Sequence, residues 1–220
     1  MQQASEQLFA GFGPKELDFL SSLKCPHDIQ LFLNSIPYNV EPVCKSPLRV
    51  LREKSAHCFE GAIFAACCLR FLGQQPRLVD LGAFNDDDHV LSVFKQNGRF
   101  GAVAKSNTTV LRFREPVYLT LRELAMSYFE GYFNTLGFKT LRRFSYPLDL
   151  SAFDEKGWMT SEEDLEFIAE GFKTVKYREL LSKDMIRDLA PADPDLIKAG
   201  FSCSVEDGLY RADPEAREEV

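Results

Sequence analysis

Two side chains of this chain are of the kinds that combine for nucleophilic chemistry. Cys58 stands at the head of an apolar run, and His89 follows three consecutive aspartates. A thiol attacks an acyl carbon as its thiolate. An imidazole within hydrogen-bond reach can take the thiol proton and return it to the leaving amine. Such a pair needs a third group on the far ring nitrogen to fix tautomer and orientation. Cys58 lies in the stretch SAHCFEGAIFAACCLRFLG, residues 55 to 73, and a thiol at a helix start feels the positive end of the dipole, which favours the thiolate. The run Asp86-Asp87-Asp88 places carboxylates beside His89, which would raise its pKa and favour a thiolate–imidazolium pair. Each feature also has a plainer role, Cys58 as a small residue of a core helix and the aspartates as a solvated turn that aims His89.

The elements that must position these residues follow from hydrophobic spacing. Apolar residues cover most of the circumference of the stretch from Phe59 to Leu72, so the helix is expected to be central and buried, with Ser55 in a capping position and Gly73 as its stop. Before it, residues 5 to 24 read as one or two short helices, and Pro26-His27-Asp28 introduces another that ends at Pro37. Residues 38 to 54 read as an approach loop with a short helical turn at 46 to 52. After the central helix the period changes to two. PRLVDL (76 to 81), HVLSVF (89 to 94) and RFGAVA (99 to 104) read as strands, the last two joined by the Asn97-Gly98 hairpin. The spacing predicts a helix over 115 to 134, an extended segment at 141 to 148, a helix opened by a Thr160–Glu163 capping box, and a helical run over 180 to 189. The expectation is an α+β fold in one domain over 1 to 205, with its core at about 20 to 135, a helical extension at about 136 to 205 and a flexible acidic tail over 206 to 220.

At this point the pattern H-C-x-E-G-A-x-x-A-A-x-x-L-R-x-L-G from His57 to Gly73 gains weight. With Pro76-Arg77, Asp88-His89 at a strand start and Asn97-Gly98-Arg99-Phe100, it resembles the transglutaminase-like superfamily of the papain-type cysteine fold. The resemblance covers about residues 20 to 110. It implies a central buried helix packed on an antiparallel sheet, with additional helices at both ends. It also implies Cys58 as nucleophile and His89 as base, acting on a peptide or protein amide through a thioester; peptidase, amidase or deamidase, and amine transferase share that path. The family carries an aspartate near the end of the strand after the hairpin, where this chain has Ala104-Lys105-Ser106-Asn107. The third group is therefore open between Asn107 and the aspartates, Asp87 and Asp88 foremost, with Asp86 beside them and Ser106 a poorer fit. An oxyanion hole would use the Cys58 N–H and an unassigned donor from the approach loop. His57 can contact substrate or simply cap the helix. Glu60 reads as a first-turn acid and Trp158 as core. The alternative function is a fold that has lost its triad and binds a peptide or protein.

Charge and composition narrow the rest. Net charge is -7, with 27% charged and 45% hydrophobic residues, and no basic stripe stands out to neutralise phosphates, so no nucleic-acid partner is expected. No stretch is long enough to span a bilayer, and the N-terminus has no signal-peptide pattern. Six cysteines without a C-x-x-C pair, two of them adjacent on the buried helix, point to a reducing compartment, here the cytoplasm. The three histidines are not at zinc spacing, and the aspartate run lacks the alternation of a calcium loop; the chemistry requires neither metal nor cofactor.

Overall fold

The computed structural model describes residues 8–218. The beginning of the helical stretch expected from residue 5, and the last two residues of the expected tail, lie outside them. Three helices lead to the central one, α1 (Pro14–Ser22), α2 (Pro26–Ser35) and α3 (Pro47–Glu53), each opened by a proline where a missing N–H costs nothing. The central helix α4 (Cys58–Phe71) is buried from Glu60 to Leu69. Its N-cap is His57 rather than Ser55, because the imidazole accepts from the Phe59 N–H while the Glu60 carboxylate accepts from the His57 N–H. Ser55 instead receives the Lys45 ammonium at 2.8 Å. Gly73 takes φ of +83° and ends the helix.

The sheet is antiparallel throughout. Its strands are β1 (Arg77–Ala83), β2 (His89–Gln96), β3 (Arg99–Val103), β4 (Arg114–Tyr118), β5 (Leu141–Ser145), β6 (Leu148–Asp149) and β7 (Tyr177–Glu179). They run in the order β4-β3-β2-β1-β5-β7, with β6 also paired to β1. Asn97 and Gly98 both have positive φ, as a two-residue turn matching the strand twist requires. Alternation along the strands divides the core. Leu78, Val90, Phe94 and Val103 pack with α4, whereas Val79, Leu81, Leu91 and Val93 pack on the opposite face with Leu124, Tyr128 and Tyr132. Both faces are therefore covered.

Four further expectations are corrected. Residues 115 to 134 are not one helix: β4 comes first, then α5 (Leu121–Met126) and a 3-10 turn at Phe129–Gly131. Pro116 is tolerated because β4 is an edge strand, and Thr120 starts the helix by accepting from the Glu123 N–H. The Thr160–Glu163 box does not form. Asp164 accepts from the Cys44 N–H and Leu165 N–H donates to Cys44 O, holding that segment out of a helix until α6 (Glu166–Phe172). The run over 180 to 189 begins extended, since Leu180 N–H donates to Arg142 O beside β7, and only α7 (Lys183–Arg187) is helical. A further helix, α8 (Pro194–Gly200), precedes a C-terminal segment that lies against the body: Asn85 pairs with Asp213, and Arg142 with Glu218. Among the described residues no helix is long and apolar enough to cross a membrane.

Candidate functional site

The approach loop and the head of α4 are joined through one buried carboxylate. Glu60, with no solvent exposure, accepts from the Asn39 side chain, the Lys45 N–H and the His57 N–H, at 3.1, 3.0 and 2.8 Å. Three donors from two segments thus converge on a single anion at a helix N-terminus, which also favours the charge. The chain at Tyr38 runs beside Ala56, with Asn39 N–H donating to Ala56 O and Ala56 N–H donating to Pro37 O. Tyr38 is thereby placed beside Cys58, its hydroxyl close to the thiol and to the Cys58 N–H. Burial raises the Tyr38 phenol above its ordinary range, so its O–H remains a donor at any working pH. Tyr38 is thus a hydroxyl donor of the approach loop that stands beside the Cys58 N–H.

His89 opens β2, directly opposite Leu81 of β1. It shares a strand face with Leu91 and Val93, and the rings of Tyr128 and Tyr132 stand edge-on to it. Its Nε2 lies 2.8 Å from Leu111 O. A carbonyl only accepts, so Nε2 carries the proton and Nδ1 is left as the acceptor of the ring. The group that fixes the tautomer is therefore a main-chain carbonyl.

Cys58 and His89 line one cavity of about 70 Å³, with Tyr38, Asp87 and Asn107. The helix of Cys58 packs on one face of the sheet while His89 shares the opposite face, so the two reach the cavity from different sides at the start of β2. No hydrogen bond joins them among the described residues. Burial pushes the Cys58 thiol up to about 11, with the Asp87 carboxylate adding to it; the Tyr38 hydroxyl and the Phe59 N–H oppose this without prevailing. Burial likewise pushes His89 down to about 4. The thiolate–imidazolium pair expected from the sequence is thus replaced by a neutral thiol and a neutral imidazole. Moving the proton between them across that gap costs on the order of 10 kcal/mol. No family model matches the chain, and no curated protein matches it.

The residues expected as the third group are engaged elsewhere. The Asn107 amide donates to Val205 O and accepts from Val205 N–H, both at 2.8 Å. Ser106 is bound to Thr108. Asp88 accepts from the Ala83 N–H at 2.8 Å and closes the turn between β1 and β2. Asp86 accepts from the Thr140 hydroxyl and is pushed up to about 6 by burial. Asp87 lines the cavity and is open to solvent overall, its pKa raised by partial desolvation of the carboxylate and by Asp88. His57, expected either at substrate or as a cap, has both ring nitrogens committed: Nδ1 accepts from the Phe59 N–H and Nε2–H donates to Val43 O. Lys105, in the Ala104–Asn107 stretch that follows β3, is buried and donates to Leu33 O and Ile36 O at the end of α2. Sequence reasoning missed Tyr38 and Leu111. Tyr38 had a faint signal in following the helix-ending Pro37; a main-chain carbonyl had none.

Proposed function

We propose that the chain is a cysteine enzyme of transglutaminase-like type, acting on amide or peptide bonds through a thioester on Cys58. One observation carries this reading: Cys58 at the head of a buried helix and His89, its Nε2 held by Leu111 O, line a single cavity. The Sγ of Cys58 forms a bond to the amide carbonyl carbon as its proton passes to His89 Nδ1. Charge developing on the carbonyl oxygen is met by the Cys58 N–H and the Tyr38 O–H. The C–N bond then breaks, the amine leaves with the proton from Nδ1, and water or an amine resolves the thioester.

A small activated acyl donor, p-nitrophenyl acetate, tests this without knowledge of the natural substrate. Acetylation mapped to Cys58 should fall by about 100-fold or more in His89→Gln, the range for loss of a general base. In the parent its rate should rise with pH through the His89 ionisation at about 4. The absence of a hydrogen bond between Cys58 and His89 favours the second reading, a non-catalytic peptide-binding module. Acetylation of Cys58 indifferent to both His89→Gln and that ionisation would refute the enzyme and leave the binding module as the reading to test.

A further inference from the structure

After α8 the chain turns back over the Cys58 cavity, and Phe201, Gly208, Leu209 and Tyr210 become part of its lining. Two asparagine side chains hold this return, both in the same manner. The Asn107 amide pairs with the N–H and the C=O of Val205; the Asn85 amide donates to Asp213 O at 2.8 Å and accepts from Asp213 N–H at 2.9 Å. An amide that meets both main-chain groups of one residue reproduces an antiparallel strand pair and is blind to that residue's side chain. Extended peptides are held on sheet edges by the same main-chain bonds. Between the clamps Glu206–Gly208 make one 3-10 turn, with Gly208 N–H donating to Val205 O, and Leu209 returns to extended backbone. A Cβ on Gly208 would come to 3.0 Å from two ring carbons of Tyr38 and 3.1 Å from the Asn107 amide nitrogen. The ring under Gly208 is the one whose hydroxyl stands beside the Cys58 thiol in the same cavity.

We propose that residues 204–213 are an internal strap that occupies the groove over Cys58 in place of a polypeptide substrate, held by main-chain clamps at Asn107 and Asn85 that a segment of substrate takes over when the strap lifts. The inference rests on reading the Cys58 cavity as an acyl-transfer site, and it gives that site its substrate geometry and its resting state. The strap is suited to exchange because its clamps read backbone. Ser204 adds a hydroxyl bond to Asn107 O at 2.7 Å, so residue 107 grips two successive strap residues.

Alkylation of Cys58 by iodoacetamide in the full chain, followed by peptide mapping, reads the strap directly. Val205→Pro deletes the N–H that Asn107 accepts and leaves the groove untouched. Losing one hydrogen bond should speed Cys58 alkylation about fivefold. Gly208→Leu drives a side chain into the Tyr38 ring and should speed it about tenfold or more, with Cys25 unchanged as the internal control. A synthetic peptide of residues 204–213 should slow alkylation of the Gly208→Leu protein in a saturable way, and its Val205→Pro counterpart should not. Rates within twofold of the parent in both variants, or acceleration without peptide protection, would overturn the proposal. Hydrogen exchange on the parent keeps the test independent of how a variant folds. The Val205 and Asp213 amides should be protected, and unprotected exchange at both refutes the strap. None of these readouts needs turnover. If the strap lifts and Cys58 still does not acetylate, the acyl-transfer reading falls and the strap stands. If Cys58 acetylates equally in parent and variants, the strap falls and the acyl-transfer reading stands.

Discussion

In the resting chain Cys58 should be a slow cysteine, contrary to what its place at a helix start leads one to expect. Its thiol is pushed up to about 11 by burial and by Asp87. Near pH 7 such a thiol is ionised to roughly one part in ten thousand, against about three parts in a hundred for an unperturbed thiol of pKa about 8.5, a deficit of about 300-fold. A more basic thiolate is also a better nucleophile, and a Brønsted slope of about 0.45 returns about tenfold of this. The net expectation is exchange with a small disulfide about thirtyfold slower than an unperturbed cysteine peptide, before shielding by the strap is counted. Hydroxyethyl disulfide, with mixed disulfides mapped by mass, resolves each of the six cysteines. The rate at Cys58 should climb about tenfold per pH unit between about pH 7 and pH 10. A rate independent of pH between about pH 5 and pH 8, or Cys58 emerging as the fastest thiol near neutrality, would mean that a thiolate already exists. Burial would then not govern the ionisation of Cys58.

Other consequences are as specific. Tyr38→Phe keeps the ring under Gly208 but removes the O–H at Cys58; His89-dependent acetylation should drop by about 100-fold with the unfolding midpoint unchanged. Glu60→Ala leaves the donors of Asn39, Lys45 and His57 without their anion and should lower the unfolding free energy in urea by about 4 kcal/mol, detaching the approach loop. Two groups oppose one another in acid. His89, depressed to about 4, contributes stability that is complete above about pH 6.5 and is lost as pH falls toward 4, while Asp80, raised to about 7 by burial, withdraws stability as pH rises from about 4 to 7. Asp80→Asn should therefore steepen the acid loss and His89→Gln should reverse the slope, each by about 3 kcal/mol across that window, read from urea midpoints at a series of pH values.

How much was legible in the sequence depended on how local the cause was. The small-residue helix, the Asn97-Gly98 turn and the alternating strands around it are fixed by neighbours within a few residues, and they lie where the spacing puts them. β4 was hidden because Leu121 and Leu124 continue a helical spacing that begins only after Thr120; pairing with β3, not propensity, makes residues 114 to 118 a strand. The neutrality of the site was invisible for another reason. A dipole and three aspartates can be read from the chain, but the burial that outweighs them is tertiary. The partner of His89 is a carbonyl, which every residue has, and so no residue type could announce it.

The same reasoning explains why the C-terminal segment read as a tail. Polar and acidic residues bury little apolar surface, so composition predicts no order. Yet the segment is held by main-chain groups: Val205 and Asp213 are gripped through N–H and C=O, and Gly208 contributes by having no side chain. A contact that ignores side chains leaves no pattern in the sequence of the segment it binds. Its trace is on the receiving side, in two asparagines that flank the Asp86-Asp87-Asp88-His89 turn and the end of β3. That asymmetry ties the strap to the chemistry. The burial that holds Cys58 and His89 neutral is contributed in part by strap residues lining their cavity, so lifting the strap lets water in and moves both groups toward their ordinary values, Cys58 downward and His89 upward. The cost of proton transfer falls from both ends at once. The nucleophile would thus be readied while the clamps stand empty, before a peptide closes over the cavity.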